Sequence, residues 1–316
     1  MHWDTLVNQF GELTVTGLAQ GAIYALVALG YTLVYGVLRL INFAHSEVFV
    51  VGTFATILTL RMVGIGPDEP IPGMLAVIGI VTLALLISAL ASAGTAVVVE
   101  RIAYRPLRRR NAPPLVFLIS AIGASLLIQE LIALFLGRDY EPVGNLVKPS
   151  VQFSIFGADV TNRQILMVAA AVLMMVGLDT FVGRTRLGRG IRAVSQNPDA
   201  AALMGVNKDR VIALTFVLGG LMAGVAAVLY DLNFGVTRFS AGFLIGLKAF
   251  TAAVLGGIGN LRGALLGGLL LGLVENWGSA LIGAQWRDVI AFVFLIAVLM
   301  VRPSGILGES LTKARA

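Results

Sequence analysis

The residues in this sequence that could do chemistry are few, and they sit where polar groups are costly. Glu47, Glu130, Asp179 and Glu275 fall inside strongly apolar stretches, Lys248 opens another, and Gln129 flanks Glu130. An ionisable side chain at a bilayer centre costs about 2.5–3.5 kcal/mol on insertion scales, so such groups face a bundle interior or water. Each therefore reads in one of two ways: as part of a structural ion pair or a snorkelling side chain, or as a polar contact along a solute path. Lys248 could pair with a carboxylate.

Asn42-Phe43-Ala44-His45-Ser46-Glu47 is the densest polar run ahead of an apolar helix. A helix starting there presents free N–H groups and a positive dipole end, which suits an anionic group. Asn42 or Ser46 is placed to cap it, and a capped start at the membrane surface is the simpler alternative. Asn260 precedes an apolar helix in a loosely similar way, which points to a weak internal repeat; broken helices at matching places in two halves mark transport sites. Asn42, His45, Glu47, Glu130, Lys248, Asn260 and Glu275 are thus the candidate contacts along a translocation path.

Catalytic motifs are missing. No lysine stands in a G-x-x-x-x-G-K-[ST] context, so the chain has no P-loop of its own. His2 and His45 are the only histidines, and the absence of cysteine rules out disulfides, zinc–thiolate sites and a thiol nucleophile. No G-x-S-x-G elbow occurs either.

The elements that must position the polar residues are membrane helices. Of 316 residues, 58% are apolar and 13% charged, with a mean hydropathy of +0.91. A soluble domain carries about 25% charged residues. Apolar stretches lie near 13–37, 43–63, 73–99, 114–136, 164–182, 211–231, 246–258, 263–282 and 288–301. Since a crossing needs about 20 residues, this predicts an all-α polytopic membrane protein of 8 or 9 transmembrane helices, with a broken or re-entrant segment near 246–262. Loops between them hold turn residues, as at Gly66-Pro67-Asp68-Glu69-Pro70.

Arginine sets the orientation. Arg101, Arg105, Arg108, Arg109 and Arg110 follow the third stretch, and Arg184, Arg186, Arg189, Arg192, Lys208 and Arg210 follow the fifth. Two crossings separate the groups, so they share a side, and short Arg-rich loops stay in the cytoplasm. Arg39, Arg262, Arg302, Lys313 and Arg315 fall on the same side, making 16 of the 23 basic residues. The net charge of +6 and pI near 10.0 are then an inside-facing bias rather than a nucleic-acid surface. The first ten residues lack a basic n-region, so the first span is expected to be retained.

Lipid gives helices no hydrophobic reason to associate, so small residues must supply close contact. Gly259, Gly263 and Gly267 recur every four residues, with Gly268 and Gly272 beside them; Gly17 with Gly21 and Gly220 with Gly224 repeat the spacing. The basic loop at 183–210 holds a short helix. Asn197 is a good N-cap, Pro198 suits the first helical position, and Asp199 complements the dipole. Ala200, Ala201, Ala202, Leu203 and Met204 propagate the helix, and Gly205 with Asn207 ends it. Apolar residues on a loop helix call for a partner groove.

Asp199-Ala200-Ala201, three further residues and Gly205 resemble the Glu-Ala-Ala-x-x-x-Gly loop of bacterial ABC importer permeases, with Asp in place of Glu. Wider segments carry more: Gly21-Ala22-Ile23-Tyr24-Ala25-Leu26-Val27-Ala28-Leu29-Gly30, Ile41-Asn42-Phe43-Ala44-His45, Gly188-Arg189-Gly190-Ile191-Arg192-Ala193, Leu255-Gly256-Gly257-Ile258-Gly259-Asn260 and Arg302-Pro303-Ser304-Gly305. These are similar to branched-chain amino-acid ABC transporter permeases of the LivH type. The resemblance implies a single permease domain over 12–308, with short tails at 1–11 and 309–316, in the bacterial inner membrane. It also implies a second homologous permease subunit, two cytoplasmic ATP-binding subunits and a periplasmic substrate-binding protein as partners. ATP would then be used by the partners, with no cofactor bound by this chain. Asn197, Pro198, Asp199, Ala200, Ala201, Leu203, Met204 and Gly205 match the helix that couples such a permease to its ATPases. Relatives importing urea or short amides, and an ATP-independent channel or carrier, are the alternatives.

Overall fold

A computed structural model describes residues 3–66, 73–144, 147–155 and 157–308. The turn residues at 67–70, the basic residues Lys313 and Arg315, and the tail 309–316 lie outside the described residues. The chain is built from helices, because a backbone in hydrocarbon must satisfy its own hydrogen bonds. They are α1 (Trp3–Asn8), α2 (Phe10–Leu38), α3 (His45–Met62), α4 (Met74–Val99), α5 (Arg105–Arg109), α6 (Pro114–Leu136), α7 (Asn162–Arg184), α8 (Arg186–Gln196), α9 (Pro198–Leu203), α10 (Lys208–Phe234), α11 (Ala241–Gly256), α12 (Leu261–Ile282) and α13 (Arg287–Val301). Every apolar stretch of the sequence falls on a helix. Among the described residues seven helices are long and apolar enough to cross a membrane; α3 carries His45, Glu47 and Arg61, and α11 has 16 residues.

Contacts divide the chain into two compact units, 1–32 with 149–177 and 247–316, and 33–148 with 178–246. In the first, α2 and α12 meet through glycine: a Cβ on Gly21 would stand 2.6 Å from the Gly268 carbonyl, and one on Gly17 2.9 Å from that of Gly272. The segment expected to be broken is the tip of a helical hairpin. Gly256 packs on Gly263 and Ala252 on Gly267, so α11 and α12 run antiparallel from the turn at 257–260. Gly259 lies in that turn and not on the helical stripe. The chain near 306 closes over the tip, where Ile306 and Leu307 donate backbone N–H groups to Leu255 and Gly256. A hairpin of β1 (Val151–Ile155) with β2 (Ala158–Thr161) precedes α7, in a region read from sequence only as a polar loop.

In the second unit, α4 offers a face of small residues, Ala84, Ser88, Ala89, Ser92, Ala93 and Ala96, to both α3 and α10. Ser88 Oγ donates to the Gly52 carbonyl at 3.0 Å and the Gly224 carbonyl at 2.9 Å, and Ser92 Oγ to that of Val48 at 3.0 Å. Gly220 and Gly224 rest against Ala93 and Ala89, which gives that predicted glycine pair its partner. One end of the unit is closed by Ile57, Leu60, Ile65, Val143, Val228 and Leu232. Pro106 deprives the Ile102 carbonyl of its N–H partner, and the helix between α4 and α5 widens into a π-turn over Glu100–Tyr104. The loop at 183–196 is largely the amphipathic helix α8, which buries Ile191 and Val194; the density of arginine hid this in the sequence.

Candidate functional site

The short loop helix forms as its sequence dictates. Asn197 Oδ1 accepts from the N–H groups of Asp199 and Ala200, each at 3.0 Å, and Pro198 occupies the first position. Gly205 ends the helix with φ +83°, a left-handed conformation that favours glycine. Ala201 is buried, while Leu203 and Met204 are 89% and 85% exposed. Lys208 Nζ bonds Asp199 Oδ1 at 3.0 Å, and Asn207 caps α10 through Arg210 N–H. The two arginine-rich segments meet: Asp209 accepts from Arg105 Nε at 3.1 Å and from Arg108 at 2.6 Å, which places both on one side, as the charge pattern requires.

At the start of α3 the expected caps are not used. Ala44 takes the N-cap position without a side-chain bond; Asn42 Oδ1 instead accepts from Tyr104 Oη at 3.2 Å, and Ser46 Oγ donates to the Phe43 carbonyl at 2.8 Å. Asn42 is taken by a partner 62 residues away, while Ser46 turns back to a carbonyl three residues earlier. His45 and Glu47 are buried on the first turn. Glu47 Oε1 accepts long bonds from Ser46 and Ser125, at 3.4 Å each, and its Oε2 has no hydrogen-bond partner among the described residues. Glu130 is 57% exposed and pairs with Arg138 at 2.5 Å. Asn260 caps α12 through Arg262 and Gly263 and donates to the Leu307 carbonyl at 2.9 Å.

Lys248 and Glu275 come together with more company than the sequence suggested. Lys248 Nζ lies 2.6 Å from Glu275 Oε1 and 2.6 Å from Asp288 Oδ1. Arg287 Nε is 3.0 Å from Glu275, and one terminal nitrogen donates to both Gln20 Oε1 at 2.9 Å and Asn276 Oδ1 at 2.7 Å. Gln20 in turn donates to Tyr24 Oη at 2.7 Å. The network offers two cations and two carboxylates, arranged to hold a zwitterion or to hold helices together. Sequence reasoning missed Gln20, Tyr24, Asn276, Arg287 and Asp288; the spacing of Gln20 and Tyr24 on one face of α2 was the available signal. It also missed Asp231, whose side chain is buried near the end of α10. Among the described residues no group of three or more His, Asp or Glu side chains could hold a metal ion.

A family model described as branched-chain amino acid transport system, permease component, matches residues 13–299. The chain belongs to this family. It is 42% identical over 306 residues to the high-affinity branched-chain amino acid transport system permease protein BraD of Pseudomonas aeruginosa, covering 96% of this chain and 97% of the relative. Against the permease protein LivH of Salmonella typhimurium identity is 42%, with 95% and 96% covered. A probable LivH from Methanocaldococcus jannaschii is 27% identical, with 98% and 97% covered. No solved structure matches. As a permease of this family with seven long apolar helices among its described residues, the chain is a multi-pass inner-membrane transport subunit, not an enzyme.

Proposed function

We propose that this permease is one of two membrane subunits of an ATP-driven importer of branched-chain amino acids. Two cytoplasmic ATP-binding subunits supply the energy, and a periplasmic binding protein delivers the solute. In this reading residues 12–308 act as one permease domain, and α9, from Asn197 to Gly205, docks in a groove of an ATP-binding subunit. One observation carries it: a capped helix beside the arginine-rich segments displays Leu203 and Met204 almost fully exposed. A self-sufficient channel has no use for such a surface. Relatives named for branched-chain amino acids, at 42% identity, favour that substrate over urea or short amides.

The solute path runs past buried polar groups. Its candidate contacts are the buried Asn42, His45, Glu47, Lys248 and Glu275, with the half-buried Asn260. Glu130, exposed beside Arg138, fits a helix-end ion pair better than a solute contact. Met204→Arg tests the docking reading: it adds charge on the surface without touching the core. We expect copurification of the ATP-binding subunits to fall at least about tenfold at unchanged expression, the scale of losing one interface anchor. Normal copurification would refute the reading.

A further inference from the structure

Four residues beyond Gly205 the chain reaches Asp209, and the contacts there form a continuous route through the second unit. Backbone bonds from Met204, Gly205 and Val206 back to Ala200, Ala202 and Ala201 close the end of α9, and Lys208 Nζ on Asp199 Oδ1 at 3.0 Å joins α9 to the start of α10. Asp209, in the first turn of α10, is gripped from α5. Arg105 donates to its Oδ2 through Nε at 3.1 Å and through a terminal nitrogen at 3.0 Å; Arg108 donates to Oδ1 at 2.6 Å, and Arg109 adds a 3.4 Å contact. Charge-assisted guanidinium–carboxylate bonds to both carboxylate oxygens fix the orientation of that carboxylate as well as its distance. Arg108 also holds the fully buried Glu100 at 3.1 Å, so the clamp is anchored in the π-turn. At the other end of that turn Tyr104 is fully buried against Phe117 and Phe216, and its hydroxyl reaches Asn42 and the Ile41 carbonyl ahead of α3.

We propose that Asp209 is the positioning residue through which displacement of α9 reaches the α3 start. The arginine clamp makes the beginning of α10 and the end of α4 move as one body, and Tyr104 hands that movement to Asn42, three residues before His45. The inference rests on the reading of α9 as the ATPase-docking helix. It adds that binding the motor and transmitting its stroke are separable: α9 surface residues do the first, and the clamp does the second.

The test uses the complete importer in proteoliposomes, with leucine and the binding protein, scoring three quantities: copurified ATP-binding subunits, ATP hydrolysis, and leucine moved per ATP. Asp209→Asn keeps the shape and removes the charge. We expect normal copurification, continued hydrolysis and about a tenfold fall in leucine per ATP, with Asp209→Glu restoring the ratio to within about twofold; losses on this scale fit coupling carried by a few contacts. An unchanged ratio in Asp209→Asn, or no recovery with Asp209→Glu, overturns the proposal. Should Asp209→Asn fail to assemble, Arg105→Gln decides, since it leaves Arg108 and Arg109 on Asp209: a ratio lowered about threefold supports the clamp, and an unaltered one overturns it. Loss of the docking reading shows separately, as retained ATP-binding subunits in Met204→Arg.

Discussion

Lys248 Nζ lies 2.6 Å from Glu275 Oε1, joining α11 to α12 by an ion pair whose carboxylate is fully buried. Breaking a buried pair from one side leaves an uncompensated charge, at a cost of about 3–5 kcal/mol. Arg287 still faces Glu275 when Lys248 is lost, so Lys248→Met should sit near the low end of that range. Removing both partners, in Lys248→Met with Glu275→Leu, should cost clearly less than the two single losses combined, by about 0.5–3 kcal/mol. Unfolding of the purified permease in detergent reads this cycle, and strictly additive losses would show that the pair does not act as a unit.

Glycine substitutions should divide by location. At Gly21 an added methyl meets the Gly268 carbonyl, whereas at Gly123 on α6 it meets nothing within 4 Å. Gly21→Ala must push α2 from α12 and should destabilise by about 1–3 kcal/mol. Gly123→Ala adds helix propensity without a clash and should be neutral or stabilising by up to about 1 kcal/mol. Melting temperatures of the two variants moving in the same direction would contradict the close approach at Gly21.

Orientation can be read from two engineered thiols, because the native chain has no cysteine. Arg110 and Asp139 are exposed residues on either side of α6. With a membrane-impermeant maleimide on intact cells, Asp139→Cys should label directly and Arg110→Cys only after permeabilisation. Direct labelling of Arg110→Cys but not of Asp139→Cys would reverse the assignment of the arginine-rich side, and direct labelling of both would refute the crossing by α6.

What could be read in advance was what is local. Asn197-Pro198-Asp199 specifies its own helix start, since cap, first position and dipole partner lie within three residues, and the glycine spacing of α2, α10 and α12 announced close contacts. The identity of the contacts was not local. Lys248 was expected to find a carboxylate, but nothing in the chain order points to Glu275 with Asp288, or brings Arg287 back to Gln20. Asn42 looks like a cap until Tyr104, brought over by the π-turn, takes its side chain. Asp231 escaped notice because it sits near the end of α10, where a carboxylate looks like the approach to a loop, yet packing buries it.

The π-turn over Glu100–Tyr104 has a further effect. One additional residue in a helical turn rotates everything after it by about 100° relative to an uninterrupted helix. Arg105, Arg108 and Arg109 are therefore aimed by a register offset as well as by their spacing, and a single proline sets that offset. Without it, the same three arginines at the same sequence positions would point about a quarter-turn away from Asp209.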